Sequence, residues 1–234
     1  MEGNGDMKRT AVLAFVLVAA LTLGACTRQA PLSIQAETLI ENARWTIETF
    51  KARSDKPMHL FAGMLAEAHG VVVLPGVYKA GFLLGAEGGN GVLVARRPSG
   101  EWGYPAFYTM GAGSFGLQAG GQVSEVVLII RNPGAVSALI EHQGKLGADL
   151  EVTAGTVGAG MEGAVTTNLG ADIVVFSDAV GLFGGASLEG SVLARRNDFN
   201  DVFYGPGATP ETIVIEGRHA NAKADALRNA LVVR

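Results

Sequence analysis

The sequence predicts a single β-rich domain of the α+β class, in which glycine-rich hairpins are combined with an N-terminal amphipathic helix and a few short helices. The first observation is composition: 48% of the 234 residues are hydrophobic and 17% are charged, as in an ordered globular protein. The second is glycine, whose 33 copies are about twice the usual share and lie in apolar segments without a G-X-Y period. This distribution favours tight turns and strands over collagen or a flexible linker.

A third observation is a spacing of glycine, valine, leucine and arginine that occurs three times. Each copy predicts an apolar strand with two glycines, a turn, and a second strand that ends in arginine, which is typical of a β-hairpin. Glycines four apart on a strand share one face, so that face is bare and could receive a helix of the same chain, a lipid chain or a partner. The copies are Gly81, Gly85, Val92, Leu93 and Arg96, then Gly116, Gly120, Val127, Leu128 and Arg131, and then Gly181, Gly185, Val192, Leu193 and Arg196.

The first 25 residues predict a signal peptide. Lys8 and Arg9 are followed by an apolar run over residues 11–23, which is shorter than the roughly 20 residues of a membrane-spanning helix. The residues that end this segment, LGAC, resemble the lipobox of bacterial lipoproteins, in which the cysteine becomes the acylated first residue. Met7 is the more natural start, because Met1–Asp6 adds two acids to the basic region.

Cys26 is therefore the expected lipid anchor. It is the only cysteine of the chain, so it cannot form an internal disulfide. The alternative is an ordinary secretory signal followed by a buried cysteine. Residues 26–34 are the expected tether and residues 35–234 the expected domain. Thr27 is not the aspartate that resembles an inner-membrane retention signal, so we expect an outer-membrane location, facing the periplasm or the cell surface, in a Gram-negative organism.

The mature chain opens with an amphipathic helix over Ser33–Arg53. Its charged residues alternate in sign, so they can support each other one turn apart. Trp45 falls outside the apolar arc, where it could cap the edge of the core or contact a sheet, a partner or a lipid surface. The apolar positions at helical spacing are Ala36, Ile40, Ala43, Ile47 and Phe50.

The remaining elements follow from apolar runs punctuated by glycine, proline and asparagine. Asn132 and Pro133 predict a helix start, because asparagine caps helices and proline fits their first turn, and this helix should end near Gly144. The other expected helices are Met58–His69, which ends at Gly70, Asp198–Tyr204 and His219–Leu231. The expected strands are Val71–Leu74, closed by a turn at Pro75 and Gly76, then Ala106–Met110, the second hairpin within Gly111–Arg131, Asp149–Val157, Ala164–Asn168, Ile173–Ser177 and Thr212–Glu216.

Five motifs occur in an order that resembles the SYLF domain, a lipid-binding module named from actin-patch and FYVE proteins of eukaryotes. The resemblance covers roughly residues 39–217. It implies a domain that binds phospholipid, with phosphoinositides preferred and actin contacts added in the eukaryotic members. The motifs are the run Gly70–Leu83, WGYPAF at Trp102–Phe107, GLQAGG at Gly116–Gly121, LGAD at Leu146–Asp149 and GLFGGASLEG at Gly181–Gly190.

One departure concerns the first helix. Eukaryotic members are thought to approach membranes with a basic helix, whereas this helix carries three glutamates against three basic residues. Attraction to anionic lipids depends on clustered lysine and arginine, so the composition does not favour phosphoinositides.

The basic residues at the strand ends are the expected phosphate contacts. If the hairpins align, these side chains gather at one rim of the sheet, and arginine forks suit phosphate geometrically. The alternative is that they are solvated or ion-paired. Together with Trp45, the expected lipid-binding residues are Lys79, Arg96, Arg97, Arg131, Arg195 and Arg196.

The motifs that could indicate a catalytic site lack the sequence context that such sites require. Gly111–Gly116 and Gly158–Gly163 match G-x-G-x-x-G, but neither is expected to open a helix, as a dinucleotide site requires. Ser114 lies in an AGSFG run that resembles an alanine variant of the nucleophile elbow of some lipases, which also requires a strand-turn-helix. The four histidines, His59, His69, His142 and His219, lack ligand spacing, and Glu87, Glu125 and Glu189 are expected to be solvated turn residues.

The sequence therefore predicts a membrane-anchored envelope lipoprotein whose domain binds phospholipid or a related lipid without catalysis, metal or cofactor. The alternative from another class is a scaffold that binds an envelope or host protein through its glycine-rich strands or Trp45. Nucleic acid is not an expected partner, because the net charge is -4 and no basic run follows the first dozen residues.

Overall fold

The computed structural model describes residues 29–54, 58–142, 152–154, 172–178 and 191–233. The chain divides into the units Met1–Pro31 and Leu32–Arg234, and the second is described below. Several predictions fall outside the described residues: the signal peptide, Cys26, the motif Gly158–Gly163, the strand Ala164–Asn168, Glu189, and Gly181 and Gly185 of the third repeat.

The described elements are two helices, two long strands, a third helix, three short strands and a helical C-terminal segment, which is the order of an α+β domain. The helices are α1 (Leu32–Ala52), a 3-10 turn (Met58–Leu60) that leads into α2 (Phe61–Glu67), α3 (Pro133–His142), α4 (Asn197–Tyr204), a π-helical turn (Glu211–Ile215) and a 3-10 turn (Ala222–Ala224) that leads into α5 (Asp225–Ala230). The strands are β1 (Gly70–Ala95), β2 (Ala106–Ile130), β3 (Val152–Ala154), β4 (Ile173–Ser177) and β5 (Val192–Arg195).

One sheet contains all five described strands. β1 and β2 pair in antiparallel fashion, from Gly70 opposite Ile130 to Leu93 opposite Ala106. β4 pairs with the last residues of β2, and β3 lies parallel to β4. β5 pairs with the beginning of β2. The predicted α+β class, with a β-rich domain and an N-terminal helix, is confirmed.

The long strand β1 folds back along itself. The backbone N–H of Arg96 donates to the carbonyl of His69 at 2.8 Å. Further along, Gly89 meets the carbonyl of Gly76, and Lys79 forms an ion pair with Glu87 at 3.4 Å. As the first half advances along the chain, its residues lie beside residues that come progressively earlier in the second half. The two halves are antiparallel neighbours, and β2 follows β1 around the reversal.

Glycine permits this close approach. A Cβ atom on Gly91 would lie 2.3 Å from the carbonyl oxygen of Val73, and one on Gly89 would lie 2.2 Å from that of Gly76. Real Cβ atoms do not approach backbone oxygens so closely. The register also shifts between Leu74 and Val77 and between Gly81 and Leu83, and such irregularities bend a strand.

The predicted hairpin bounds are wrong. Pro75 and Gly76 do not close a turn but lie within β1, and the chain reverses between Lys79 and Glu87. Residues 88–95 form one returning arm. The second predicted hairpin, Gly111–Arg131, is wrong as well, because β2 is one strand that accompanies β1 along both arms.

Both faces of the sheet are buried toward its open end, whereas Tyr78 and Val123, nearer the reversal, are exposed. On one face, alternating residues such as Val71, Val73 and Val92 pack with α1 and α2. On the other face, residues such as Leu93 and Tyr108 pack with α3 and the π-helical turn. This arrangement explains the near-continuous apolar runs of the strands, because side chains that alternate between two buried faces are all apolar.

The helix predictions are largely confirmed. α1 matches the expected bounds within one residue, and its five predicted apolar residues are all buried. Asn132 caps α3, since its Oδ1 accepts the N–H of Ala135 at 2.7 Å. The strand Thr212–Glu216 is wrong: these residues lie in and just after a π-helical turn. The N–H of Thr212 donates to Thr209 Oγ1 at 3.3 Å, as at a helix start, which the apolar run does not reveal.

Gly91→Ala tests the close approach within β1. The added methyl would meet a backbone oxygen that cannot rotate away, so we expect the free energy of unfolding to fall by about 2 kcal/mol or more. Urea unfolding of the Cys26→Ser chain measures this change. Gly113→Ala, in open space on β2, is the matched control and should change the free energy by less than about 0.5 kcal/mol. Equal effects of the two substitutions would contradict the packing explanation.

Candidate functional site

The backbone brings the predicted arginines to one end of the folded-back sheet. The carbonyl of Ile130, the residue before Arg131, accepts the N–H of His69, whose own carbonyl accepts the N–H of Arg96. The backbone N–H of Arg196 donates to the carbonyl of Phe107, near the start of β2, at 2.9 Å. We call this the open end of the sheet. Lys79 lies at the opposite end, beside the reversal.

Arg96 uses its guanidinium inside the protein. Its Nε donates to the carbonyl of Ala68 at 2.8 Å, and its Nη2 donates to those of Leu65 and Ala66 at 3.2 and 3.0 Å. Leu65 and Ala66 lie in the last turn of α2 and Ala68 is its C-cap, where carbonyls lack the regular helical hydrogen bonds. The guanidinium also lies over the ring of Trp102, 4.3 Å from its centroid. Arg96 therefore caps a helix.

The arginines at the end of β5 and just after it are also bonded within the protein. Arg195 Nη2 donates to the carbonyls of Ile140 and Glu141 near the end of α3. Arg196 forms two hydrogen bonds with Asp198, both at 2.8 Å, and donates to Asn90 Oδ1 at 2.7 Å. These contacts raise the pKa of Arg196, with the carboxylate of Asp198 as the main cause, and lower the pKa of Asp198 in return.

The other predicted cations also have partners in the protein. Lys79 pairs with Glu87. Arg97 differs: its guanidinium lies 5.9 Å from the ring centroid of Tyr104, and its buried Nε has no hydrogen-bond partner among the described residues. The backbone N–H of Arg131 donates to the carbonyl of Asp172 at 2.9 Å, and Arg131 has a further interaction within the protein. The open end thus gathers arginines, but most of their donors are directed at the protein.

A cleft of about 650 Å³ opens beside Arg96. Its walls come from the end of α2, the turn after β1 and the C-terminal segment with α5. The lining includes the guanidiniums of Arg96 and Arg228, the carboxylates of Glu101 and Asp225, and the Trp102 side chain. Sequence reasoning missed Arg228 and Glu101, because it looked for basic residues at strand ends.

Arg228 is fixed by three neighbours. Its Nε donates to the carbonyl of Trp102 at 2.9 Å, and its Nη1 pairs with Asp225 at 2.8 Å. The guanidinium lies over Tyr104, 4.2 Å from the ring centroid. The hydroxyl of Tyr104 donates to the same Asp225 carboxylate at 3.1 Å.

Trp45 lies on the exposed side of α1, as predicted. Its side chain is 55% exposed, and the Arg44 guanidinium lies 4.1 Å from its ring centroid. Arg44 is clamped between Glu41 and Glu48, and this hydrogen-bonded contact lowers the pKa of Glu41. Ile34, about three helical turns earlier on the same stripe, is 53% exposed.

Glu87 is not the solvated turn residue that was predicted. It lies in β1 with a side chain that is 3% exposed, and its Oε1 has no hydrogen-bond partner. Burial raises the pKa of Glu87, while the ammonium of Lys79 opposes the rise. Glu125, on β2, is also partly buried, and it accepts a hydrogen bond from Thr46 at 2.7 Å.

The geometry gives no support to the catalytic interpretations. Gly111–Gly116, with Ser114, lies within β2 and does not join a strand to a helix. His219 contacts the hydroxyl of Thr212 at 3.0 Å, while the side chains of His59 and His142 lie outside the description. No cluster of metal-ligating side chains occurs within the described part of the chain. Of the helices in that part, none is both long and apolar enough to cross a membrane.

Comparison with known proteins identifies relatives. A family model described as "Ysc84: Las17-binding protein actin regulator" matches residues 111–233. The human SH3 domain-containing YSC84-like protein 1 is 38% identical over 144 residues, which cover 61% of this chain and 42% of the human protein. LAS seventeen-binding protein 3 of Saccharomyces cerevisiae is 33% identical over 158 residues, which cover 66% of this chain and 34% of the yeast protein. The matched part thus spans less than half of either relative.

The raised pKa of Glu87 predicts a pH-dependent stability. A carboxyl whose pKa is raised on folding stabilises the protein when protonated, and this contribution is lost as the pH rises through the folded-state pKa. Relative to wild type, Glu87→Gln should therefore gain unfolding free energy as the pH rises above about 4.5, the ordinary value for glutamate. Urea unfolding between pH 4 and 8 measures the difference.

Glu67→Gln, at an exposed position on α2, is the matched control and should follow the wild-type curve. A relative stability of Glu87→Gln that falls with rising pH would show that the attraction of Lys79 outweighs the burial of the carboxylate.

Proposed function

Because this chain belongs to the Ysc84 family, we propose that it is a non-catalytic binding protein that is tethered to the cell envelope through Cys26 and contacts phospholipid with α1. The family membership confirms the predicted SYLF relationship. The family description and the name of the yeast relative denote binding and regulation, not catalysis.

The exposed Trp45 is the observation that carries the proposal. An indole combines an apolar ring with a polar N–H, which suits the interface between lipid and water. Leu32 and Ile34, at the start of the same helix, are 40% and 53% exposed. α1 begins shortly after Cys26 in the sequence, so an acylated cysteine would hold this helix close to the bilayer.

The charges of α1 indicate which lipid surface it contacts. Glu41 and Glu48 flank the single positive charge of Arg44 on the exposed side. Anionic lipids would be repelled by such a face, since attraction requires an excess of lysine and arginine. A largely zwitterionic surface is the better match. The acyl chains of the anchor would supply membrane residence, and the helix a weaker, orienting contact.

The arginines of the open end contribute less to this proposal. The guanidiniums of Arg96 and Arg195 cap helices, and that of Arg196 is paired with Asp198. A phosphate would have to compete with these contacts. The lipid-binding role assigned to them from the sequence remains a prediction.

A second candidate function is that of a scaffold for an envelope or host protein. The yeast relative is named for binding a protein, and the family is described as regulating actin. An exposed tryptophan with a stacked arginine is also typical of protein interfaces, where these two residue types dominate binding energy. The lipid and protein candidates therefore share the same surface and differ in its occupant.

Trp45→Ala distinguishes the two candidates. In the Cys26→Ser chain, we expect vesicles of phosphatidylcholine and phosphatidylethanolamine to shift tryptophan fluorescence to shorter wavelength. Trp102 is only 3% exposed, so Trp45 would be the reporter. Trp45→Ala should lower vesicle flotation about tenfold, the equivalent of roughly 1.4 kcal/mol. Ile215→Ala, at an exposed apolar position on the π-helical turn, is the control and should float like the parent chain.

Failure of the parent chain to float with any vesicles, including anionic and phosphoinositide-bearing ones, would overturn the lipid proposal. Cross-linking through a photoreactive group at position 45 would then test for an envelope protein.

The anchor has its own test. Mass spectrometry of the mature wild-type protein should show an N-terminal Cys26 that carries a diacylglycerol. An unmodified N-terminus at another residue would contradict the tether.

A further inference from the structure

The cleft beside Arg96 presents charges of both signs. Arg96 supplies a positive charge whose hydrogen-bond partners are carbonyls, not carboxylates. Glu101 supplies a negative charge to the same cleft. Its carboxylate has no ion-pair or hydrogen-bond partner among the residues that the structure describes. One fixed cation and one unneutralised acid therefore line the same cavity.

Arg228 adds donors that are not used by the protein. A guanidinium carries five N–H groups. The Nε of Arg228 donates to Trp102, and its Nη1 donates to Asp225. Its Nη2 contacts no acceptor in the described part of the chain. The guanidinium lies over Tyr104, and Arg228 lines the cleft, so its Nη2 is available to a ligand there. Charge-assisted hydrogen bonds from a guanidinium suit an oxyanion.

Apolar contact is available between the charged groups. Val232 lines the cleft and is 45% exposed. Trp102 also lines the cleft, and its indole Nε1 donates to the carbonyl of Leu231 at 3.1 Å. A ligand with an anionic group, a short methylene linker and a cationic group would thus find a counterpart for each of its parts.

We propose that this cleft binds a phospho-zwitterion, in which a phosphate and an ammonium are joined by a two-carbon linker. The phosphate contacts the Nη2 of Arg228, the ammonium contacts Glu101, and the linker lies on Val232. The source is either a phospholipid head group or a soluble phosphate ester. The site deepens the proposed membrane function and rests on it only where the source is a lipid.

Titration with soluble phosphoethanolamine tests the chemistry without a membrane. In nitrogen-15 NMR spectra of the Cys26→Ser chain, the indole signal of Trp102 should shift with saturation, while that of Trp45, on α1, should not. Inorganic phosphate and ethanolamine should each bind more weakly than the zwitterion. The absence of any Trp102 shift, or equal affinity for phosphoethanolamine and inorganic phosphate, would overturn the proposal.

Glu101→Gln should change the affinities for phosphoethanolamine and for inorganic phosphate in opposite directions. This exposed side chain has no partner in the described structure, so its substitution should not alter folding. If Glu101 holds the ammonium, Glu101→Gln weakens phosphoethanolamine binding about threefold and strengthens inorganic phosphate binding by a similar factor. Stronger binding of both ligands would show a plain anion site and would contradict the proposal. Glu67→Gln, on the exposed side of α2, is the control.

Vesicles then identify the source. Loss of flotation on phosphatidylethanolamine vesicles in Glu101→Gln, with Trp102 shifts in both soluble and vesicle titrations, would support a lipid head group. Trp102 shifts with unchanged flotation would support a soluble ester. Flotation that depends on Trp45 but leaves Trp102 unshifted would overturn the cleft and leave the membrane proposal intact, so the two proposals fail separately.

Discussion

The close approach of the two halves of β1 is the constraint on which the domain depends. At Gly89 and Gly91, a carbonyl of the first half occupies the space where a side chain would stand. A strand that returns along itself in this way presents two outer edges, and β2 pairs with both of them. The remaining strands and helices then cover a sheet whose shape the glycines of one segment determine.

This folding brings the ends of the long strands together, and that arrangement explains the arginines. Helices α2 and α3 end near the open end of the sheet, where their last carbonyls lack helical partners. Arg96 and Arg195 donate to these carbonyls. A buried carbonyl without a partner costs free energy, so a multi-donor side chain at a strand end stabilises both the helix and its junction with the sheet. Arg96 and Arg195 therefore have a structural explanation before any ligand is considered.

The sequence predicted the elements that depend on local signals. The apolar stripe of α1 and the Asn132 cap follow from spacing and side-chain chemistry within a few residues, and both agree with the structure. The reversal within β1 was misplaced, because Pro75 and Gly76 signal a turn locally but form a bulge when β2 pairs alongside. The partners of the arginines, and the cleft of Arg228, depend on contacts distant in sequence, which no local pattern encodes.

The two sides of helix α1 differ in character. Its buried side packs on the sheet, and Lys51 in its last turn donates to the carbonyls of Ala230 and Val232 at 2.8 and 2.7 Å. This contact links the helix to the segment that forms one wall of the cleft. Its exposed side carries Trp45, whose ring is stacked against the guanidinium of Arg44. Because α1 is fixed to the C-terminal segment, a surface that contacts Trp45 would also set the orientation of the cleft relative to that surface.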